Sequence, residues 1–530
     1  MSRSSNADKN PSRSSRRFQA PMLAAAGLVV IGAIVIVLLL FLDSYMPHWG
    51  RSSVSQHRPV QLAIDWTAVA RVSKTTATLQ VVVNPLLRPG SPIHDNVFSE
   101  LKDLRADYAR FVPWFPYPRL GVAELEPPAH GRTSWDFRRI DPIVLDFLRA
   151  TRGHPQILNF STIPQWMWKT PSAVPVPADP DVIDFRYLRG TRLRVPIRTV
   201  AAYFRRLVSW YAAGGFRDEY GHFHRSGHHY KIKYWEVLNE MEHSLSPRVY
   251  TKLYDAIVPA IQSVSPHTRF IGLALAADVP AYFTYFLGRA KHRPNIPLDF
   301  ISYHFYGGPA SDETPDTWGS DTFAQANGFI SKVRYVETIR KRLSPKTRTT
   351  VDEVGTILSQ ARTQPKPARI PDVYWNYSGA LFAYVFAQLA LEGIDVVGES
   401  QLVAYPGQYP SVSMVDWNTG KPNARYRVLQ LLRENIPLGS RLAPPVITPG
   451  AEAGGDLFYA LALHTPSRKR KLLLINKRNF KIPVWFPGLK GATVKVVDEV
   501  SAGGPPREEV LTKDEYVIPE YGVAILTLSG

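Results

Sequence analysis

Two short apolar runs in this chain stop at carboxylates. Tyr234-Trp-Glu-Val-Leu-Asn-Glu240 closes on an Asn-Glu pair, and Thr349-Thr-Val-Asp-Glu353 closes on an Asp-Glu pair. β-rich runs that finish at acids put those acids at strand ends. Two facing carboxylates are what glycosidic bond cleavage requires, one to protonate the departing oxygen and one to attack or stabilise the sugar cation. In this reading Glu240 is the general acid, kept protonated near neutrality by the charge of Glu353 and by partial burial, while Glu353 attacks to form a glycosyl-enzyme. Asn239 grips the sugar 2-hydroxyl. Asp352 adjoins Glu353, but strand alternation sends neighbouring side chains to opposite faces, so only one of the two is expected to face the centre.

Such acids need a rigid scaffold, and the flanking sequence alternates between strand-like and helix-like segments. Strands are predicted at Thr78 to Asn84, Tyr108 to Val112, Gln156 to Phe160, Tyr230 to Leu238, Arg269 to Leu275, Asp299 to Tyr306, Arg348 to Glu353 and Ile394 to Gly398. Helices are predicted at Asp95 to Ala106, through the stripe Val200, Tyr203, Phe204, Leu207, Val208 and Tyr211, at Phe329 to Leu343, Tyr374 to Leu391 and Ala424 to Glu434. Eight βα units predict an α/β fold, a (β/α)8 TIM barrel over residues 75–436 with its active site at the carboxyl ends of the strands. From Pro437 the pattern changes to short β segments separated by turns, which predict a C-terminal β-sandwich over 437–530.

Other residues fall near the same barrel mouth. His304 and Tyr306 share one face of the sixth strand and could both reach a bound sugar, or the histidine could satisfy a core hydrogen bond. Trp114, Trp166 and Trp417 follow strands two, three and eight, where indole faces make either sugar platforms or core. Glu399, after strand eight, rivals Glu353 as the second acid. His222, His224, His228 and His229 have metal-ligand chemistry but precede strand four, at the far end of the barrel from the acids; no metal or cofactor is expected. Arg468-Lys-Arg-Lys471 reads as a solvated hairpin tip or a contact to acidic polymer or lipid headgroups. Asn159 and Asn376 begin formal glycosylation sequons, the first inside a predicted barrel strand where no glycan fits.

The order Asn-Glu after strand four, His-x-Tyr after strand six and Glu after strand seven resembles clan A glycoside hydrolases. Within that clan, Pro164-Gln-Trp-Met167 and Asp299-Phe-Ile-Ser-Tyr-His-Phe-Tyr306 resemble family 39, the β-xylosidase, α-L-iduronidase and exopolysaccharide hydrolase group. The resemblance covers roughly residues 75 to 435, and the trailing sandwich is similar too. It implies Glu240 as acid/base, Glu353 as nucleophile, His304 and Tyr306 along the sugar site, and Arg110 supporting the nucleophile from the end of strand two. Met241 stands where the family usually has proline.

Composition sets the outer limits. The 530 residues are 45% apolar, enough to bury a large core, and the absence of cysteine removes disulfides and thiolate chemistry together. Met22 to Leu42 is a run of 21 uncharged residues, long enough for about 30 Å of hydrocarbon. The preceding tail, residues 1–21, carries Arg3, Lys9, Arg13, Arg16 and Arg17 against Asp8 alone, so a signal anchor with a cytoplasmic amino terminus is expected, followed by a tether and leading β segment over 43–74. The net charge of +18 is dispersed and compatible with solvation, anionic lipid or acidic polymer; nucleic acid is not expected outside the membrane. The expected function is retaining hydrolysis of a polysaccharide or oligosaccharide, in the periplasm or outside the cell. A catalytically silent binding or export protein and a transglycosylase using the same site are the alternatives. Oligomeric state stays open.

Overall fold

The computed structural model describes residues 59–170, 174–186, 190–276, 279–358, 370–405, 407–448 and 457–529. The basic tail and the apolar run Met22 to Leu42 lie outside these residues. Among the described residues no helix is long and apolar enough to cross a membrane.

Eight parallel strands close into a barrel: β1 (Thr76–Val82), β2 (Ala109–Val112), β3 (Gln156–Leu158), β4 (Tyr234–Glu236), β5 (Arg269–Leu275), β6 (Phe300–Gly307), β7 (Arg348–Thr356) and β8 (Val396–Glu399). Each strand pairs with its neighbours in sequence, and β8 returns to β1 through Val396 opposite Thr76. The helices are α1 (His94–Leu104), α2 (Asp141–Ala150), α3 (Ile197–Ala212), α4 (Pro247–Gln262), α5 (Pro280–Leu287), α6 (Trp318–Leu343), α7 (Val373–Glu392) and α8 (Ala424–Asn435).

Local chemistry explains where these elements begin and end. In α3 the stripe Val200, Tyr203, Phe204, Leu207, Val208 and Tyr211 is buried as its spacing predicts, each large side chain contributing about 1.5–3 kcal/mol on leaving water. Ser246 caps α4 by accepting from the Val249 amide, with Pro247 at the first helical position. Gly393 ends α7 in the left-handed region at φ 77°, letting its amide close onto the last carbonyls before β8 begins. Helix α6 starts at Trp318 rather than Phe329. Its first turns are polar on the outside, so apolar periodicity alone marks only the second half.

The most consequential local feature lies in β7. Tyr303 of β6 pairs with Val351, but the next residue, His304, pairs with Glu353, so Asp352 is the extra residue of a bulge. The β7–β8 register shifts over the same stretch. A bulge breaks strict alternation and re-aims the side chains beside it.

The sandwich draws strands from both ends of the described chain. A four-stranded sheet orders 446–448, 60–63, 482–485 and 515–518, and a seven-stranded sheet orders 507–510, 493–497, 523–527, 470–476, 458–464, 441–443 and 71–72. Residues 60–63 and 71–72 are therefore sandwich strands that reach back from before the barrel. The sandwich core gathers Val60, Leu62, Leu472, Leu474, Val484, Val494 and Leu526. Against the barrel, the Tyr521 hydroxyl donates to the Pro315 carbonyl at 2.7 Å, and its ring packs edge-on to Tyr377.

Candidate active site

The carboxyl end of the barrel holds a cavity of about 320 Å³, whose walls include Gln80, Trp114, Asn239, Glu240, Tyr306, Glu353, Gln401 and Tyr409. The two acids arrive from opposite strands. Past β4 the chain turns through left-handed backbone at Leu238 (φ 66°) and Glu240 (φ 52°), and the Glu240 amide donates to the Ala274 carbonyl at 2.8 Å. Two non-glycine residues in that region cost on the order of 1–3 kcal/mol each, a strain that surrounding packing must hold and that is found preferentially at functional sites. Glu353 is carried on β7 just past the bulge.

One oxygen of Glu240, one of Glu353 and a ring nitrogen of His304 all lie within 4.8 Å of one another. His304 Nδ1 is 3.1 Å from Glu240 Oε1, and its Nε2 is 3.5 Å from Glu353 Oε1. Burial works against the imidazolium, but the Glu353 charge and the hydrogen bond to Glu240 outweigh it and hold the ring protonated up to about 9. Among the described residues this is the one trio of acidic and histidine side chains compact enough for a metal ion.

Glu353 is held at both oxygens. Arg110 Nη1 donates to Oε1 at 2.5 Å, and the Tyr306 hydroxyl donates to Oε2 at 2.7 Å. Arg110 also donates from Nη2 to Asn239 Oδ1 at 2.6 Å, from Nη1 to Gln80 Oε1 at 2.7 Å and from Nε to Glu236 Oε2 at 2.5 Å. Its guanidinium is fully buried. Burial alone would favour its loss of charge, but the Glu236 and Glu353 carboxylates hold the proton more firmly than in an ordinary arginine. Behind Tyr306, Ser400 Oγ lies 2.6 Å from its hydroxyl oxygen, and the Gln80 amide donates to Ser400 at 2.6 Å. Burial and the Glu353 charge push the Tyr306 phenol well above its usual range, so it stays a donor.

The structure brings together Glu240, Glu353, Asn239, His304, Tyr306, Arg110 and Trp114. It does not bring in the other predicted residues. Glu399 is fully buried, its Oε1 accepts from Arg425 Nε at 3.0 Å, and it does not line the cavity. Burial pushes its carboxyl up to about 8 despite that partner. Trp166 is half-buried against the barrel core, and its indole N–H donates to the Glu124 carbonyl at 3.1 Å. Trp417 packs on the same core beside Trp375. Both indoles follow the strands as expected, but neither lines the cavity. The aromatic wall is instead Trp114 with Tyr409, ring centres 6.4 Å apart.

One expectation is overturned outright. Asp352 and Glu353 do not point to opposite sides, because the bulge lets both approach Arg110, Asp352 Oδ2 at 3.6 Å from Nε and Glu353 Oε1 at 2.5 Å from Nη1. Sequence reading also missed Gln80, Asn159, Glu236 and Ser302. Each is a buried polar residue in a largely apolar barrel strand or at its end, which is the signal that could have found them. The histidines before β4 do not converge: His222 and His224 both pair with Asp218, and His228 faces Asp141. Asn159 and Asn376 are buried, which leaves no room for a glycan.

No family model and no curated protein matches this sequence. Solved structures share its fold. A family 51 arabinofuranosidase from Xanthomonas axonopodis pv. citri superposes with a TM-score of 0.60 at 12% identity, over 89% of this chain and 100% of its own. A family 39 β-xylosidase from Caulobacter crescentus gives 0.57 at 14% identity, over 89% and 100%. A family 51 α-L-arabinofuranosidase from Bifidobacterium longum gives 0.59 at 12%, again over 89% and 100%. The barrel with its appended sandwich is thus a fold found among glycoside hydrolases.

Proposed function

We propose that this chain is a retaining glycoside hydrolase in which Glu353 is the nucleophile and Glu240 the acid/base. The observation that carries the proposal is the pairing of two glutamates from β4 and β7 in one cavity, with oxygens within 4.8 Å. Retaining enzymes hold their carboxyl groups about 5–5.5 Å apart, whereas inverting enzymes need about 6.5–9.5 Å to admit water between them.

The surroundings support a division of labour. Glu353 Oε forms a bond to the anomeric carbon as the glycosidic C–O bond breaks, and the departing oxygen takes the proton of Glu240. Water then adds to the same carbon, giving a proton back to Glu240 as the bond to Glu353 breaks. The 3.1 Å contact from His304 Nδ1 to Glu240 sets an imidazolium donor beside that acid, where it steadies the carboxylate left when the proton departs. Arg110 and Tyr306 orient the attacking carboxylate, and Arg110 fixes the Asn239 amide on the wall where a sugar 2-hydroxyl would lie. Trp114 and Tyr409 offer ring faces to the sugar.

The substrate is a polysaccharide or oligosaccharide. The cavity of about 320 Å³ has room for a sugar unit beside the two carboxyls. The basic tail and apolar run at the amino terminus support a membrane-anchored protein with this domain outside the cytoplasm. Incubating the protein with a panel of aryl α- and β-glycosides tests the reading. Turnover of at least one donor, abolished in Glu353→Gln, is expected; turnover unaffected by that substitution would refute it.

A further inference from the structure

Beneath the cavity floor lies a second carboxyl pair that the two-glutamate chemistry does not use. Glu236, at the end of β4, is fully buried and surrounded by donors: Arg110 Nε at 2.5 Å and Asn159 Nδ2 at 2.6 Å on Oε2, and the Ser302 hydroxyl on Oε1. Asp352, the bulge residue of β7, is equally buried and differently placed. Among the described residues no N–H or O–H group donates to either of its oxygens. It faces Arg110 Nε and His304 Nε2, each at 3.6 Å, and it shares that Arg110 N–H with the Glu236 carboxyl, which takes it at 2.5 Å.

Two buried carboxyl groups that share one guanidinium N–H are relieved of their repulsion when one of them holds a proton. Donor placement decides which of them holds it. An ionised Asp352 would be a buried anion with no hydrogen-bond donor, left to the more distant charges of Arg110 and His304, while an ionised Glu236 has three donors. We propose that Asp352 is a neutral carboxylic acid whose O–H donates to Glu236, and that this shared proton makes Asp352 a positioning residue for the nucleophile. With one net charge between them, the pair takes up only Nε of Arg110 and leaves Nη1 to bond Glu353. A second full charge there would draw Arg110 toward β4 and away from Glu353.

The titration behaviour agrees with the geometry. Burial and the adjacent Glu236 charge hold Asp352 well above the usual carboxyl range. Burial also works against the Glu236 carboxylate, but Arg110, Ser302 and Asn159 outweigh it and hold Glu236 below that range. The groups around the proton are Arg110 from β2, Glu236 from β4, His304 from β6 and Glu353 from β7.

The positioning role rests on the glycosidase reading, whereas the shared proton does not, and the test separates them. Infrared spectra of protein carrying carbon-13 aspartate should show a protonated aspartic carboxyl band at pH 8 that is missing from Asp352→Asn; its absence from the wild type overturns the proposal whatever the enzyme acts on. With any donor that the wild type turns over, Asp352→Asn, which keeps an N–H donor to Glu236, should retain kcat to within about threefold. Asp352→Ala should lose about 30-fold or more in kcat with KM little changed. A folded Asp352→Asn as impaired as Asp352→Ala would show that the ionised form is needed, and overturns it. Full activity in Asp352→Ala would remove the positioning role. No turnover by the wild type refutes the glycosidase reading alone and leaves the infrared result standing.

Discussion

Arg110 Nη1 and Glu353 Oε1 meet at 2.5 Å in the centre of the barrel, from strands β2 and β7 that are not neighbours in the sheet. This contact ties Glu353, the proposed nucleophile, to a guanidinium that also reaches Glu236, Asn239 and Gln80. Removing the cation leaves buried carboxylates facing one another. Arg110→Leu is therefore expected to destabilise the fold by about 3–5 kcal/mol, measured by denaturant unfolding at pH 7. A loss under about 1 kcal/mol would mean that the network is solvated.

Tyr306→Phe tests the other oxygen of Glu353. It deletes one hydrogen bond to a charged group, worth about 1.5–3 kcal/mol, and leaves the ring packing in place. A fall of roughly 10- to 150-fold in kcat/KM is expected, with little change in unfolding midpoint. An equal loss of stability and activity would assign Tyr306 to the core.

His304 gives a pH signature. Its imidazolium persists to about 9 because Glu353 and Glu240 outweigh burial, against about 6.5 in the unfolded chain. A proton held more tightly in the folded state stabilises it fully below about pH 6.5, and that stabilisation is lost as the pH rises through about 9. The full effect is on the order of 3 kcal/mol. The stability difference between wild type and His304→Gln should narrow across that window in unfolding curves from pH 6 to 10. A constant difference would mean a neutral ring. Glu240, Glu353, Asp352 and Arg110 all face this ring or its partners, so the comparison must be made between variants and not against absolute stability.

Glu399 separates position in sequence from position in space. It ends β8 as Glu240 follows β4, yet its carboxyl is buried on Arg425, and burial keeps it largely protonated near neutrality, up to about 8. Glu399→Gln preserves shape and neutral character, so activity should stay within about threefold of wild type in a steady-state assay. Glu353→Gln should lose at least about 10⁴-fold.

Much of this site was legible because a barrel puts chemistry at strand ends. Glu240, Glu353, His304 and Tyr306 could be read from where apolar runs stop, and the structure gathers all of them. What escaped has physical causes. The alternation rule failed at Asp352 because an inserted residue in β7 leaves no mark in composition. Glu236 and Ser302 sat inside apolar runs that looked like core. The pairing of residues 60–63 and 71–72 with strands beyond 440 depends on contacts across the whole barrel, which no local pattern encodes. Trp166 and Trp417 follow their strands as expected, but loop conformation, not strand position, decides where an indole points.

The most direct measurement is the intact mass of the protein after incubation with a panel of 2-deoxy-2-fluoro glycosides, which slow the second step and trap the glycosyl-enzyme. The account predicts a gain of one fluorosugar that maps by peptide digestion to Glu353 and disappears in Glu353→Gln. An adduct on another residue, or turnover of a matched glycoside with inversion at the anomeric carbon, would contradict it.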